Sequence, residues 1–192
     1  MQGIHITGAS GSGVTTLGGA LAARLGAAHL DTDSFYWLPT DPPFHERRPL
    51  GDRLEMLQQA FAAADRGWVL SGSLDGWGDV FVPRFLLVLF VYTPHDIRMA
   101  RILAREEARY GAAVQPGGSM YEQHLEFVAW ADGYDHGGQT GRSLPRHEAW
   151  LKTLPCPVLR LDGKLPVDRL VETAFSAAAA FRDEAWPLSR NT

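Results

Sequence analysis

The sequence predicts an α/β domain built on a parallel sheet with helices on both faces. Short apolar runs alternate with amphipathic helical stretches along the chain, a glycine-rich turn follows the first run directly, and the clearest run, FLLVLFVYT at 85–93, is continuously apolar and rich in Val, Phe and Tyr. A strand of that kind has both faces covered, as in the middle of a parallel sheet. With 192 residues, 45% apolar and 21% charged, the chain suits one globular domain, 1–192, with a sizeable core.

Periodicity and punctuation then place each element. QGIHIT at 2–7 reads as the first strand, TTLGGALAARL at 15–25 as a helix of strong helix formers, and AAHLD at 27–31 as the second strand. The polar, proline-rich TDPPFHERRP is a loop, followed by an amphipathic helix at 52–65. GWVLSGS at 67–73 is a buried third strand, and the run at 85–93 is the fourth. A helix at 95–109, a further helical stretch at 119–131, a second glycine-rich loop DGYDHGGQTGR and a short helix at 144–153 lead to the last strand, CPVLRL, and a closing helix at 166–182. No internal repeat is present, and the alanine run 177–180 is ordinary helix-former usage.

The formal net charge of −4 argues against a dedicated nucleic-acid or anionic-membrane surface and favours small-molecule partners. A single cysteine, Cys156, excludes an intramolecular disulfide and a cysteine-based zinc site, which suits a cytoplasmic setting. No apolar run reaches about eighteen residues and no leader-like segment opens the chain, so neither membrane spanning nor secretion is expected. The seven histidines show no H-x-x-x-H pair, so zinc is not expected, and His147 and Glu148 read as the surface of a short helix. Ser10 lacks the flanking glycine pattern of a nucleophile elbow.

ITGASGSGVTTLG carries the chemistry, and two nucleotide-binding loops compete for it. A dehydrogenase-type turn is one residue short of its pattern, and Asp31 stands about twenty residues on at a strand end, as ribose recognition requires. Against it stand Val14 in place of the last glycine, the lack of any Y-x-x-x-K pair and the short chain. The phosphate-cradling pattern G-x-x-x-x-G-K-[ST] fits Gly8 to Thr15 at every required position except the lysine, where Val14 stands. Gly8, Gly11 and Gly13 let the backbone N–H groups of Ala9, Ser10, Ser12, Val14, Thr15 and Thr16 turn toward phosphate oxygens, at the positive end of the following helix. Thr15 supplies a hydroxyl for Mg2+.

With these residues the chain resembles the small P-loop kinases, the adenylate, shikimate and gluconate kinase-like enzymes. The resemblance covers most of the chain in element order and is motif-strong at 8–16 and 31–33. It implies a three-layer fold with a five-stranded parallel sheet in the order 2-3-1-4-5, a lid at about 105–143, and transfer of the γ-phosphate of ATP to a small-molecule acceptor with Mg2+. In LDTDSFYW, Asp31 and Asp33 are two apart at a strand end and face the same way if the strand continues. The resemblance implies that Asp31 holds the hydrated metal and Asp33 binds the acceptor hydroxyl and draws its proton. Ser71 and Gly72 stand where such enzymes place an acceptor-binding turn. Adenylate kinase-like relatives carry Asp-Gly there, so this departure counts against nucleoside monophosphates. Trp37 and Trp77 are candidates for an apolar acceptor wall.

Position 14 has lost a positive charge, and neither lysine of the chain, Lys152 or Lys164, is an obvious substitute. Arg98, Arg101, Arg105 and Arg109 recur at three- and four-residue spacing and so share one face of the helix entering the lid. The resemblance predicts lid arginines here. Arg101 and Arg105 are therefore expected to meet the developing charge, with Arg142 a further clamp. An arginine of this kind can be worth roughly 10³–10⁵ in rate. A nucleotide-binding sensor without transfer activity stays open as an alternative. Acceptor identity, ATP against GTP and oligomeric state do not follow from these residues.

Overall fold

A computed structural model describes residues 2–137 and 141–181. The strands are β1 (Gly3–Gly8), β2 (Ala28–Asp31), β3 (Trp68–Ser71), β4 (Phe85–Tyr92) and β5 (Val158–Asp162). The helices are α1 (Val14–Leu25), α2 (Thr32–Tyr36), α3 (Leu50–Ala63), α4 (His95–Tyr110), α5 (Tyr121–Asp132), α6 (Leu144–Leu151) and α7 (Val167–Ala180). All strand pairs are parallel, and the five-stranded sheet has the order β2-β3-β1-β4-β5. The expected closing helix stops two residues short of 182, a position that lies outside the described residues, as do 138–140 of the second glycine-rich loop.

Alternation along β4 explains its unbroken apolarity. Leu87, Leu89 and Val91 join one cluster with Ile4, Ile6, Leu17, Leu21, Leu170 and Val171, under α1 and α7. Val88 and Phe90 join the other with Leu57, Phe61, Trp68, Leu70 and Leu151, under α3 and α6. Trp68 is fully buried and stacks on Phe61 at 4.0 Å. Gly3 is small because a Cβ there would stand 2.2 Å from the Trp68 ring.

Register places the carboxyl ends of the strands side by side. Ile6 and Asp31 both pair with Ser71, and β1 runs two residues further to Gly8 beside Val91. The chain leaves β1 toward one sheet edge and β3 toward the other, and open α/β sheets bind ligands in the crevice at such a switch point. Because β3 separates β1 from β2, the sheet lacks the β1–β2 neighbour pair of dinucleotide-binding folds. The dehydrogenase alternative is corrected on that ground.

Two imidazoles are buried at 0% exposure. His5, on β1, donates from Nδ1 to the Leu70 carbonyl at 3.1 Å, stacks on Phe85, and leaves Nε2 without a partner. His147 lies inward on α6, contrary to the surface position expected of it, with Nδ1 2.7 Å from the Tyr134 hydroxyl. Burial lowers the His5 pKa to about 4. Burial, reinforced by the Arg142 charge, lowers that of His147 as well. Both rings are neutral in the folded protein at pH 7. Between the ordinary value of 6.5 and about 4 the unfolded chain binds protons that the folded chain refuses, so stability falls as pH falls through that window. For His5 the loss approaches roughly 3 kcal/mol at its lower end. Melting temperature should therefore decline steadily from pH 7 to pH 5, and His5→Asn, which keeps a donor for Leu70 without titrating, should make the decline shallower. Equal slopes for the two proteins would contradict the assignment.

Candidate active site

The glycine-rich turn between β1 and α1 is held from behind. Ser12 is buried and closes the turn on the Ala9 carbonyl, by Oγ at 2.7 Å and backbone N–H at 3.2 Å. Thr93, after β4, donates to the Ser12 carbonyl at 3.4 Å. Gly11 has φ +78°, and a Cβ there would sit 2.6 Å from the Arg98 carbonyl of α4. Gly8 is equally confined, 2.6 Å being left to the Val91 carbonyl. These contacts press the turn against β4 and α4 and leave its other side open. α1 starts at Val14 behind Gly13, with no side-chain cap on its first-turn donors, as an anion-binding helix N-terminus requires. Ala9, Ser10, Gly11, Gly13, Val14, Thr15 and Thr16 line a cavity of about 750 Å³, while Gly8 and Ser12 support the turn from outside it.

Asp31 and Asp33 both line this cavity, but not by continuing a strand. β2 ends at Asp31, whose carboxylate caps α2: Oδ1 accepts the Asp33 N–H at 3.0 Å and Oδ2 accepts the Thr15 hydroxyl at 2.9 Å. Asp33 therefore reaches the cavity from the first turn of a short helix that the alternation did not foresee. Its carboxyl is pushed above the ordinary range, first by partial withdrawal from water between the cavity walls and then by the Asp31 charge. Arg142, Arg105 and a hydrogen bond from the Trp37 side chain pull the other way.

The arginines of α4 fall on two rows. Residues 98, 102 and 106 point inward and are buried, whereas Arg101, Arg105 and Arg109 line the cavity one residue row away. Arg98 is thus no lid arginine. It is 0% exposed and donates to the carbonyls of Thr93 and Ala131 at 3.2 and 3.4 Å and to the Asp135 carboxylate at 2.6 Å. Arg101 reaches the Gly163 carbonyl at 3.1 Å, and Arg105 bonds Glu106 through Nε and Nη2 at 3.2 and 3.0 Å. Arg142 enters from the opposite side and donates to the Ser10 hydroxyl at 2.9 Å. Lys164 pairs with Asp162 at 3.5 Å, and neither it nor Lys152 lines the cavity.

Of the residues expected to face an acceptor, Trp37 and Gly72 line the cavity, and Ser71 and Trp77 do not. Ser71 is fully buried within β3, its hydroxyl 2.9 Å from His29 Nε2, because a strand position facing a helix cannot also face the crevice. Trp77 donates its indole N–H to the Ser73 carbonyl and packs into the α3-side core. Its place on the wall is taken by Phe44, Leu38 and Pro39. Arg48 also lines the cavity, fixed by the carbonyls of Phe35 and Trp37 at 3.1 and 3.2 Å. Phe44 and Arg48 are not among the residues expected from the sequence, although FHERRP brings an aromatic ring and two arginines together in that loop. Gln123 of α5 donates to the Pro43 carbonyl at 2.9 Å, so the expected lid segment touches the proline-rich loop before α3.

No protein-family model matches the chain. The uncharacterized protein YqaC of Bacillus subtilis (strain 168) is 43% identical to it over 171 residues, 89% of this chain and 94% of that protein. The chain belongs to the YqaC family. Among solved structures, a shikimate kinase from Acinetobacter baumannii in complex with shikimate matches this YqaC-family chain with a TM-score of 0.57 at 15% identity, over 96% of each chain. An uncharacterized protein from Eubacterium ventriosum gives 0.53 at 12% identity, over 94% of this chain and 99% of its own. A shikimate kinase from Bacteroides thetaiotaomicron gives 0.52 at 15%, over 93% and 98%. With the strand order, these likenesses identify the fold of this YqaC-family protein as that of the small P-loop kinases.

Gly11 and Gly13 separate two costs of substitution. Both have positive φ, +78° and +92°, but a Cβ at Gly13 meets nothing within 4 Å. Gly13→Ala should cost about 1–3 kcal/mol of strain, and Gly11→Ala clearly more through its collision with the Arg98 carbonyl. Urea unfolding of the two variants checks the order.

Proposed function

We propose that this protein is an ATP-dependent phosphotransferase acting on a hydroxyl or phosphate of a small molecule. The observation that carries the reading is the bond from the Thr15 hydroxyl to the Asp31 carboxylate at the foot of the open α1 N-terminus, with Asp33 one helical step away in the same cavity. A hydroxyl and a carboxylate so joined suit a hydrated Mg2+, which keeps several waters and takes its remaining ligands from phosphates. Among the described residues no cluster of three or more His, Cys, Asp or Glu offers a denser cage. Thr15 and Asp31 would hold that ion, which when bound would supply charge neutralisation to a transferring phosphate.

The residues of the chain divide the remaining work. Backbone N–H groups of 9–16 and the α1 N-terminus bind the phosphates. Asp33 accepts a hydrogen bond from the acceptor hydroxyl and orients its oxygen toward the γ-phosphorus. As the new O–P bond forms, the bond to the β–γ bridging oxygen breaks, ADP departs, and the hydroxyl proton passes to Asp33. The raised pKa of Asp33 suits a group that must take up a proton. Arg101 and Arg105, on the cavity row of α4, meet charge on the equatorial oxygens. Trp37 and Gly72 border the acceptor, and residues 105–143 act as the lid, in which Arg142 faces the turn. No helix among the described residues is long and apolar enough to cross a membrane, and a cytoplasmic setting fits an enzyme that draws on ATP.

Val14 favours a second reading, a nucleotide-binding protein without transfer. Asp33 speaks against it, since a binder has no use for a carboxylate on the acceptor side. A panel of hydroxylated metabolites with ATP and Mg2+ separates the two: acceptor-dependent release of ADP supports transfer, and tight ATP binding without release on any acceptor supports the sensor. With an acceptor in hand, Asp33→Asn should lower kcat about 10²–10⁴-fold while ATP binding persists. Arg101→Ala and Arg105→Ala should each lower kcat at least about tenfold, toward the roughly 10³-fold of a transition-state arginine. Unchanged turnover in both would remove them from the mechanism.

A further inference from the structure

The missing P-loop lysine leaves the cavity in need of a cation beside the turn itself. We infer that Arg142 supplies it: its guanidinium, delivered from the segment before α6, does for the outer phosphates what an ammonium at position 14 would do. This rests on the phosphotransferase reading and goes beyond it by assigning one residue to the lost charge.

Among the cavity arginines, Arg142 alone has a described bond to the turn, from Nη2 to Ser10 Oγ at 2.9 Å. Arg101 is engaged by the Gly163 carbonyl, Arg105 by Glu106, and Arg48 by two carbonyls of its own loop. Arg142 also has an unused donor, for its Nε is buried without a hydrogen-bond partner. A charged donor left so is costly unless something arrives to accept from it, and a phosphate oxygen is the acceptor this cavity is built to receive. The guanidinium is steadied by the Trp130 ring, 5.1 Å from its centre, and Asp33 is the opposite charge that acts on it most strongly.

Its position is secured from both flanks. Upstream, Asp135 is bound by Arg98 at 2.6 Å and Tyr134 by His147 at 2.7 Å. Downstream, buried Ser143 caps α6, accepting the Arg146 N–H at 3.4 Å, and His147 sits 0% exposed in the core. A lysine at position 14 would be part of the turn permanently. Arg142 comes from outside the turn and is held through the contacts of its described flanks, 133–137 and 141–147, so the charge depends on those contacts.

The test transfers the charge. Dissociation constants for ATP, ADP and AMP with Mg2+ are measured by calorimetry for the wild type, Arg142→Ala, Arg142→Lys, and the double variant Val14→Lys/Arg142→Ala, with thermal melts run alongside. Arg142→Ala should weaken ATP about 10–100-fold while AMP changes little, Arg142→Lys should fall between, and the double variant should recover most of the loss. If Arg142→Ala melts without a cooperative transition, Arg142→Lys and Ser10→Ala carry the same comparison, each expected to weaken ATP by less than the roughly 10–100-fold of full removal while AMP stays unchanged. An ATP preference that survives removal of Arg142, an equal loss for all three nucleotides, or a double variant no better than the single one overturns the inference and leaves the kinase reading intact. A wild type that binds none of the three overturns both.

Discussion

The buried guanidinium of Arg98 is the contact on which the site depends. It joins the end of β4 through the Thr93 carbonyl, the end of α5 through Ala131 and the following turn through Asp135, and its plane lies 5.0 Å from the centre of the Tyr134 ring. Its own carbonyl is the wall that Gly11 must approach. Taking such a charge out of water costs several kcal/mol, and the expense is offset only when nearly every donor finds an acceptor. Three acceptors on three separate segments meet that demand at once. The end of β4, the glycine-rich turn and the segment around Asp135 are therefore set relative to one another by a single side chain.

Much of this arrangement was legible in the sequence, and the reason is local. The strands, α1 and α7 follow from apolar periodicity, and the turn at 8–16 from glycine spacing, because each needs only its own residues to declare it. Three-dimensional competition decided the rest. Arg98 and Arg101 look alike in a helical repeat, but α4 rotates residues 98, 102 and 106 toward the core and 101, 105 and 109 toward the cavity, and only packing sets that phase. Asp31 and Asp33 were expected side by side on a strand, and they meet instead through a helix cap. Ser71 and Trp77 lie near the site in sequence but are claimed by His29 and by the Ser73 carbonyl. His147 reads as a surface residue of RHEAW until Tyr134, thirteen positions away, is folded against it.

Asp33 shows how the same cavity holds opposing demands. Enclosure and Asp31 make its carboxylate reluctant to ionise, and Arg142 and Arg105 favour ionisation. The balance leaves a carboxyl whose proton affinity depends on who else occupies the cavity. An incoming polyanion would draw the arginines onto itself and strengthen the affinity of Asp33 for a proton.

Five arginines and two aspartates line the cavity, a surplus of three positive charges in a chain whose formal net charge is −4. Positive charge is thus concentrated at one mouth of a chain that is negative overall. Such a field steers polyanions during diffusion and raises their encounter rate, most strongly where ionic strength is low enough for the Debye length to exceed about 10 Å. Capture of a negatively charged ligand would begin well before any hydrogen bond to the turn is made.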